Sequence, residues 1–206
     1  MADVDELGFS LDGLDDPPAA PPQQQQAFEK DLYKKWFRTK DRAGFVSLRP
    51  FFKAGKVVID IGKADPNSSA LLSSSEAYVD VVQLGTYLRA IVEGRAAKLY
   101  PKSDYLKVDT DEGLTIFGGK GTLSRVFKAH HWPGKDKGTY DSSAFQWKVG
   151  HFEGKESSNG LIMPDWQKPK SVDSIKVTRT DIAEISYTLD IALQAYAVQN
   201  KDWLQT

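Results

Sequence analysis

Residues Phe117–Phe152 read FGGKGTLSRVFKAHHWPGKDKGTYDSSAFQWKVGHF, and the fold is read outward from them. They predict two strands, Thr122–Trp132 and Ala144–Phe152, joined by the turn Pro133-Gly134-Lys135-Asp136-Lys137-Gly138. Residues two apart on a strand share a face. Ser124, Val126, Lys128, His130 and Trp132 therefore lie on one side of the first strand, with Leu123, Arg125, Phe127 and Ala129 on the other. In the second strand Phe145, Trp147, Val149 and His151 oppose Gln146, Lys148, Gly150 and Phe152. Neither strand divides cleanly into an apolar and a polar face. Each mixes rings with cations, which a sheet that only fills a core does not require.

Toward the N-terminus the same mixture returns. Phe28–Arg42 is a basic–aromatic entry, read as a short helix or an arm. Phe45–Phe52 predicts a strand with Val46 and Leu48 on one face and Phe45, Ser47, Arg49 and Phe51 on the other. Pro50 suits an edge strand or a bulge there. After a turn at Lys53-Ala54-Gly55, Lys56–Lys63 alternates, with Val57, Ile59 and Ile61 inward. Asp65–Ser69 reads as a loop. Ser73-x-x-Glu76 fits a capping box, so a helix is expected from about Ser74 to about Leu99, its stripe being Val81, Leu84, Leu88 and Ile91. Lys102–Gly113 reads as strand and turn.

Beyond Phe152, Glu153–Asn159 and Asp165–Ser171 read as loops around a short apolar run. Ser174–Arg179 predicts a strand, and Thr180-Asp181 starts a helix with the stripe Ile182, Ile185, Leu189 and Leu193. The two helices keep similar spacing, and each follows a run of strands. The expected fold is α+β: antiparallel sheets with two amphipathic helices, an internal duplication of a strands-plus-helix unit being one explanation. An OB-type barrel is the alternative.

Residues 1–27 form a separate region. They hold six acids and no Lys or Arg, then Pro17-Pro18-Ala19-Ala20-Pro21-Pro22 and four Gln. Such a segment cannot bury enough apolar surface to offset its ordering entropy, so a disordered tail is expected, followed by a single domain over 28–206. Subtracting those six acids leaves 22 acids against 27 bases in residues 28–206, a balance of +5 that the net charge of −1 conceals. There is no Cys for a disulfide or a thiolate metal site. No apolar run approaches the ~18 residues of a membrane span, and the acidic start excludes a signal peptide. A cytoplasmic location and no membrane contact are expected.

Catalytic signatures fail one by one. In Gly118-Gly119-Lys120-Gly121-Thr122 a phosphate-binding loop would need Lys at 119, which is Gly, and a helix rather than a strand after it. The adjacent His130 and His131 point to opposite faces, and with His151 they match no metal-ligand spacing. No nucleophile elbow is present. The expectation is a protein that is not an enzyme and carries no cofactor or metal.

Aromatic–basic interleaving remains. Unpaired bases stack on rings while Lys and Arg neutralise phosphates. The candidate binding residues of the N-terminal strands are Trp36, Arg38, Phe45, Arg49, Phe51, Lys53 and Lys56. Those of the hairpin are Lys120, Arg125, Phe127, Lys128, His130, Trp132, Phe145, Trp147 and Lys148. They are expected on an open β surface that binds single-stranded DNA without sequence preference, in replication, recombination or repair. RNA is the alternative ligand. The acidic residues 1–16 are expected to recruit replication or repair proteins, or to compete for the groove. A protein-interaction module using that tail and the C-terminal helix is the rival reading.

Leu71-Leu72-Ser73-Ser74-Ser75-Glu76 before the first helix, and Ile175-Lys176-Val177-Thr178-Arg179-Thr180-Asp181-Ile182-Ala183-Glu184 before the last, carry a resemblance. With the order of elements over about residues 43–203, they resemble the Whirly-type single-stranded DNA-binding fold. That resemblance implies helices cradled between sheets, sequence-tolerant binding of single strands, and homo-oligomers, specifically tetramers.

Overall fold

The computed structural model describes residues 31–38, 43–68, 70–99, 113–132 and 144–200. The acidic tail, the strand-and-turn segment up to residue 112 and the turn Pro133–Gly138 lie outside the described residues. Strands β1 (Tyr33–Arg38), β2 (Ala43–Phe51), β3 (Lys56–Ala64) and β4 (Leu71–Asp80) form one antiparallel sheet in sequence order. Helices α1 (Val81–Val92) and α2 (Ala96–Leu99) follow. Strands β5 (Gly113–Lys120), β6 (Leu123–Trp132), β7 (Ala144–Glu156) and β8 (Ile162–Thr178) form the second antiparallel sheet, again in order, and α3 (Arg179–Gln199) ends the described chain. The fold is α+β, and four antiparallel strands leading into a helix occur twice. Neither sheet closes on itself, so the OB-barrel alternative falls.

The alternation read from β2 and β3 holds. Val46, Leu48, Val57, Ile59 and Ile61 face a core shared with Ala77 and Val79 of β4. The second sheet contributes Phe127, Ala129, Phe145, Trp147, Val149, Ile175 and Val177 to the same core. Leu84, Leu88 and Ile91 of α1 and Ile182, Ile185 and Leu189 of α3 complete it. Each Val, Leu, Ile and Phe among them contributes roughly 1.5–3 kcal/mol by leaving water. Strand β4 contacts all four strands of the second sheet, so it crosses them rather than running beside one. The two inner faces share one core, and the two outer faces look away from each other.

Several expectations are corrected. The entry at Phe28–Arg42, read as a short helix or an arm, holds strand β1 in its described residues, paired to β2 from Tyr33↔Leu48 to Arg38↔Ala43. Pro50 sits on an inner strand, yet lies beyond the end of β1, where only β3 flanks it. The capping box at Ser73 is not one. Leu71–Asp80 is a strand, and α1 starts at Val81, where the Asp80 carboxylate accepts from the backbone N–H groups of Val82 and Gln83, both at 3.0 Å. The stretches read as loops after Phe152 belong to β7 and to the 17-residue β8, which reverse through a turn at Ser157–Gly160. As an edge strand, β8 accommodates Pro164 and Pro169.

Two polar clusters tie the layers. Buried Asp173 of β8 accepts from the hydroxyls of Ser73 and Ser75, both at 2.6 Å, with Lys63 Nζ at 3.4 Å. It joins β3 and β4 to the second sheet. At the other end Asp181 closes a capping box with Thr178 at the start of α3 and accepts from Lys35 of β1. Glu184 lies 3.6 Å from the same ammonium.

Burial acts to raise the Asp181 carboxyl, but Lys35 and the Thr178 hydrogen bonds outweigh it and hold it below its ordinary value. The bond to Asp181 holds Lys35 above its own. Burial, followed by the Asp181 charge, pushes the Tyr33 hydroxyl up to about 12. Asp181, with its folded pKa depressed, contributes stability that is present above about pH 4 and lost as pH falls through the folded value. Tyr33 and Lys35, with folded values raised, contribute stability that is present below about pH 10 and lost on further rise. Denaturation midpoints measured across pH are expected to fall at both extremes. Asp181→Asn should flatten the acid limb and Tyr33→Phe the alkaline one; variants with wild-type limbs would assign them to other groups.

Candidate nucleic-acid interface

The outer face of the first sheet follows from its register. Opposite the core residues, β1 presents Lys34 and Trp36, β2 presents Phe45, Arg49 and Phe51, β3 presents Lys56 and Asp60, and β4 presents Glu76, Tyr78 and Asp80. Trp36, Phe51 and Tyr78 are 42%, 39% and 43% exposed, Phe51 standing at the end of β2. Phe45 pairs directly with Gly62, and its ring occupies the space where a Cβ on Gly62 would stand. Trp36 leans on it, with centroids 5.1 Å apart and planes tilted by 50°. Lys34 Nζ lies 5.2 Å from the Phe45 centroid and 5.9 Å from that of Trp36. Phe45 is therefore a buried brace and Trp36 the accessible ring.

At the other end Phe51 and Tyr78 meet edge-on at 6.0 Å. The Arg125 guanidinium, reaching over from β6, lies 5.6 Å from the Tyr78 ring centre. Phe45 and Phe51 are six residues apart on one strand, so the two aromatic pairs stand about 20 Å apart. Two ring platforms at that separation suit an extended single strand, whose bases are free to stack.

The charges of this face are largely matched. Arg49 donates to Glu76 at 2.9 Å, and Lys56 Nζ lies 3.8 Å from Asp80. Burial holds the Asp60 carboxyl above its ordinary value, partly countered by the Ser74 hydroxyl and the Arg49 charge. A phosphate here would have to draw Arg49 or Lys56 from a carboxylate. The rings, more than the cations, are what this face offers a ligand.

Of the candidate residues, the structure brings Trp36, Phe45, Arg49, Phe51 and Lys56 onto this one face and sets Arg125 at its rim. Lys53 lies on the 3-10 turn Phe52–Ala54 and Lys120 at the end of β5, both exposed and both off the face. The backbones of Arg38 and Trp132 are in β1 and β6; their side chains lie outside the described residues. The hairpin reading is corrected for four residues. Phe127, Phe145 and Trp147 are core residues, at 0–1% exposure, and His130 is 1% exposed. Rings so covered cannot take a base between them. The first sheet packs over the inner face of β6 and β7 and covers the three core rings, which isolated strand parity could not disclose; His130 lies on the opposite face with Val126, both buried there. Lys128 and Lys148 do stay at the surface, directly opposite each other on the outer face of the second sheet.

Tyr78 is the residue that sequence reading missed, because the helix was started too early. Ser73–Asp80 alternates Ser73, Ser75, Ala77 and Val79 against Ser74, Glu76, Tyr78 and Asp80, a period of two that announces a strand. Among the described residues no cluster of three or more His, Asp or Glu could hold a metal ion, and no helix is long and apolar enough to cross a membrane.

No protein-family model matches the chain. No curated protein matches it in sequence. Among solved structures it is similar to WHY1 from Arabidopsis thaliana, with a TM-score of 0.43 and 10% identity, over 82% of this chain and 92% of that one.

Proposed function

We propose that this chain is a non-catalytic, cofactor-independent protein that binds single-stranded DNA with little sequence preference. It would protect exposed strands in the cytoplasm during replication, recombination or repair. The observation that carries the reading is the pair of open ring platforms, Trp36 on Phe45 and Phe51 with Tyr78, on one sheet face. Sequence tolerance follows because every base has a face to stack. RNA would satisfy the same rings.

The test is intrinsic fluorescence on titration with oligo-dT. Trp36 lies on the platform and Trp147 is buried, so binding should quench part of the emission and saturate at a defined site size. A duplex of the same length should bind far more weakly, since its bases are already stacked. Equal affinity for duplex and single strand, or no binding of either, would reject the proposal.

A second reading, a protein-interaction module, draws on α3. Tyr187, Ile191 and Val198 remain 70%, 49% and 73% exposed along one side of that helix. Such a stripe would serve a homo-oligomer or a replication or repair partner, and residues 1–16 could recruit the latter. Light scattering across concentration separates self-association from a monomer.

A further inference from the structure

Near the end of β7 and the start of β8 lies a cleft of about 390 Å³, lined by Lys155, Met163, Pro164, Asp165, Trp166 and Gln167. That is at the small end of the roughly 300–1,000 Å³ that organic ligands fill. A break in the ladder makes it. Gly154 pairs with Pro164 and Phe152 with Pro169, so residues 165–168 stand against Glu153 alone. Extra residues in one strand bend it and re-aim its side chains. The resulting arch is pinned. Asp165 accepts from the backbone N–H of Gln167 at 3.1 Å, and Lys168 Nζ lies 3.1 Å from Glu153 and 3.8 Å from Asp165. The arch carries Trp166, half-buried, whose ring meets the buried Phe152 at 5.3 Å with planes at 66°. This repeats the first sheet, where Trp36 leans on the buried Phe45. The carboxylates of Glu153 and Asp165 face Lys168, whereas Lys155 is exposed and joins no ion pair among the described residues.

The cleft also continues the proposed interface. Arg125↔His151 and Ser124↔Phe152 are successive pairs. Arg125, which reaches the Tyr78 ring, and Phe152, which braces Trp166, are therefore one register step apart at the end of β6, on opposite faces of the sheet. A single strand leaving Tyr78 rounds that end of the sheet to reach Trp166. We infer that Trp166 and Lys155 form a further nucleotide subsite: a base of the bound strand stacks on Trp166 in the cleft, and Lys155 takes the adjoining phosphate. The inference deepens the proposed function and rests on it. It adds a third ring platform, and this one has a cation of its own to offer, unlike the first sheet, where Arg49 and Lys56 are engaged with Glu76 and Asp80.

The probes are oligo-dT and an abasic oligonucleotide of the same length. Trp166→Ala should weaken oligo-dT binding about tenfold with an unchanged salt slope, from the loss of one stacked base. It should leave abasic binding as in the wild type, which a merely structural role for the ring would not. Trp166→Phe keeps a ring and should lose little. Lys155→Gln should lower the slope of log affinity against log salt by about 0.7 for both probes. A folded Trp166→Ala variant with wild-type oligo-dT affinity, or with equal losses for the two probes, overturns this inference and leaves the first-sheet platforms standing. Lys155 is exposed, so its variant keeps the fold whatever the arch does, and an unchanged slope there overturns the inference too. If Trp36→Ala, Phe51→Ala binds as the wild type while Trp166→Ala does not, the first-sheet platforms fall and this cleft is supported. Wild-type protein that binds no single strand overturns both.

Discussion

Trp147→Ala is expected to destabilise the protein by about 3–5 kcal/mol, the cost of emptying a large aromatic site in a packed core. Trp147 is fully buried, meets Phe127 edge-on at 5.4 Å with planes at 89°, and stands between Ala129 and Ile175 in the register. Its removal would open a cavity where the two sheets and helices meet. The denaturant midpoint should fall accordingly, and any loss of nucleic-acid affinity should track loss of folded protein. Trp147→Phe should cost much less, since the indole N–H has no hydrogen-bond partner among the described residues. An alanine variant with wild-type stability would show that this side chain is not a core residue.

The second large effect is expected on binding. The double change Trp36→Ala, Phe51→Ala removes the accessible ring from each platform. Stacking contributes about 1–3 kcal/mol per base, so affinity for oligo-dT should fall on the order of thirtyfold or more. Both rings are about 40% exposed and lie opposite the core face, so stability should change little. The salt slope should stay as in the wild type, because no cation has been touched. Wild-type affinity in a folded double variant would reject the platform.

The two experiments contrast because sequence treats Trp36 and Trp147 alike. Each is an aromatic with a lysine beside it, Trp147 on a predicted strand and Trp36 in an entry read as a short helix or an arm. Alternation places Trp147 with Phe145 and Val149, and the register bears this out; Trp36 shares a face with Lys34 because β1 pairs with β2. Alternation does not say which side of a strand will be covered. In β3 the answer was legible, because Val57, Ile59 and Ile61 follow one another on one side, with Lys63 only at the strand's end. In β6 and β7 both sides offered rings or aliphatics beside cations, and the pattern fitted an open surface as well as a buried one.

Helix entry was legible at one end and not at the other. Thr178 and Asp181 close a capping box near the predicted start. At α1 the sequence reading takes Ser73-x-x-Glu76 as the entry, whereas the cap that forms is Asp80, seven residues on. Pairing with β3 through Val57↔Val79 and Ile59↔Ala77 decided it, by holding residues 71–80 extended. That choice turned Tyr78 from a helical residue into half of a platform.

By itself, the sequence determined the fold class, the faces of the regular strands, the two amphipathic helices and the segregation of acids from bases. These depend on period, composition and near neighbours, all carried within a few residues. Only the tertiary structure decided which aromatic faces are open and which cations already hold carboxylates. Those outcomes depend on what a second sheet covers and what distant strands place opposite, and no local pattern contains either.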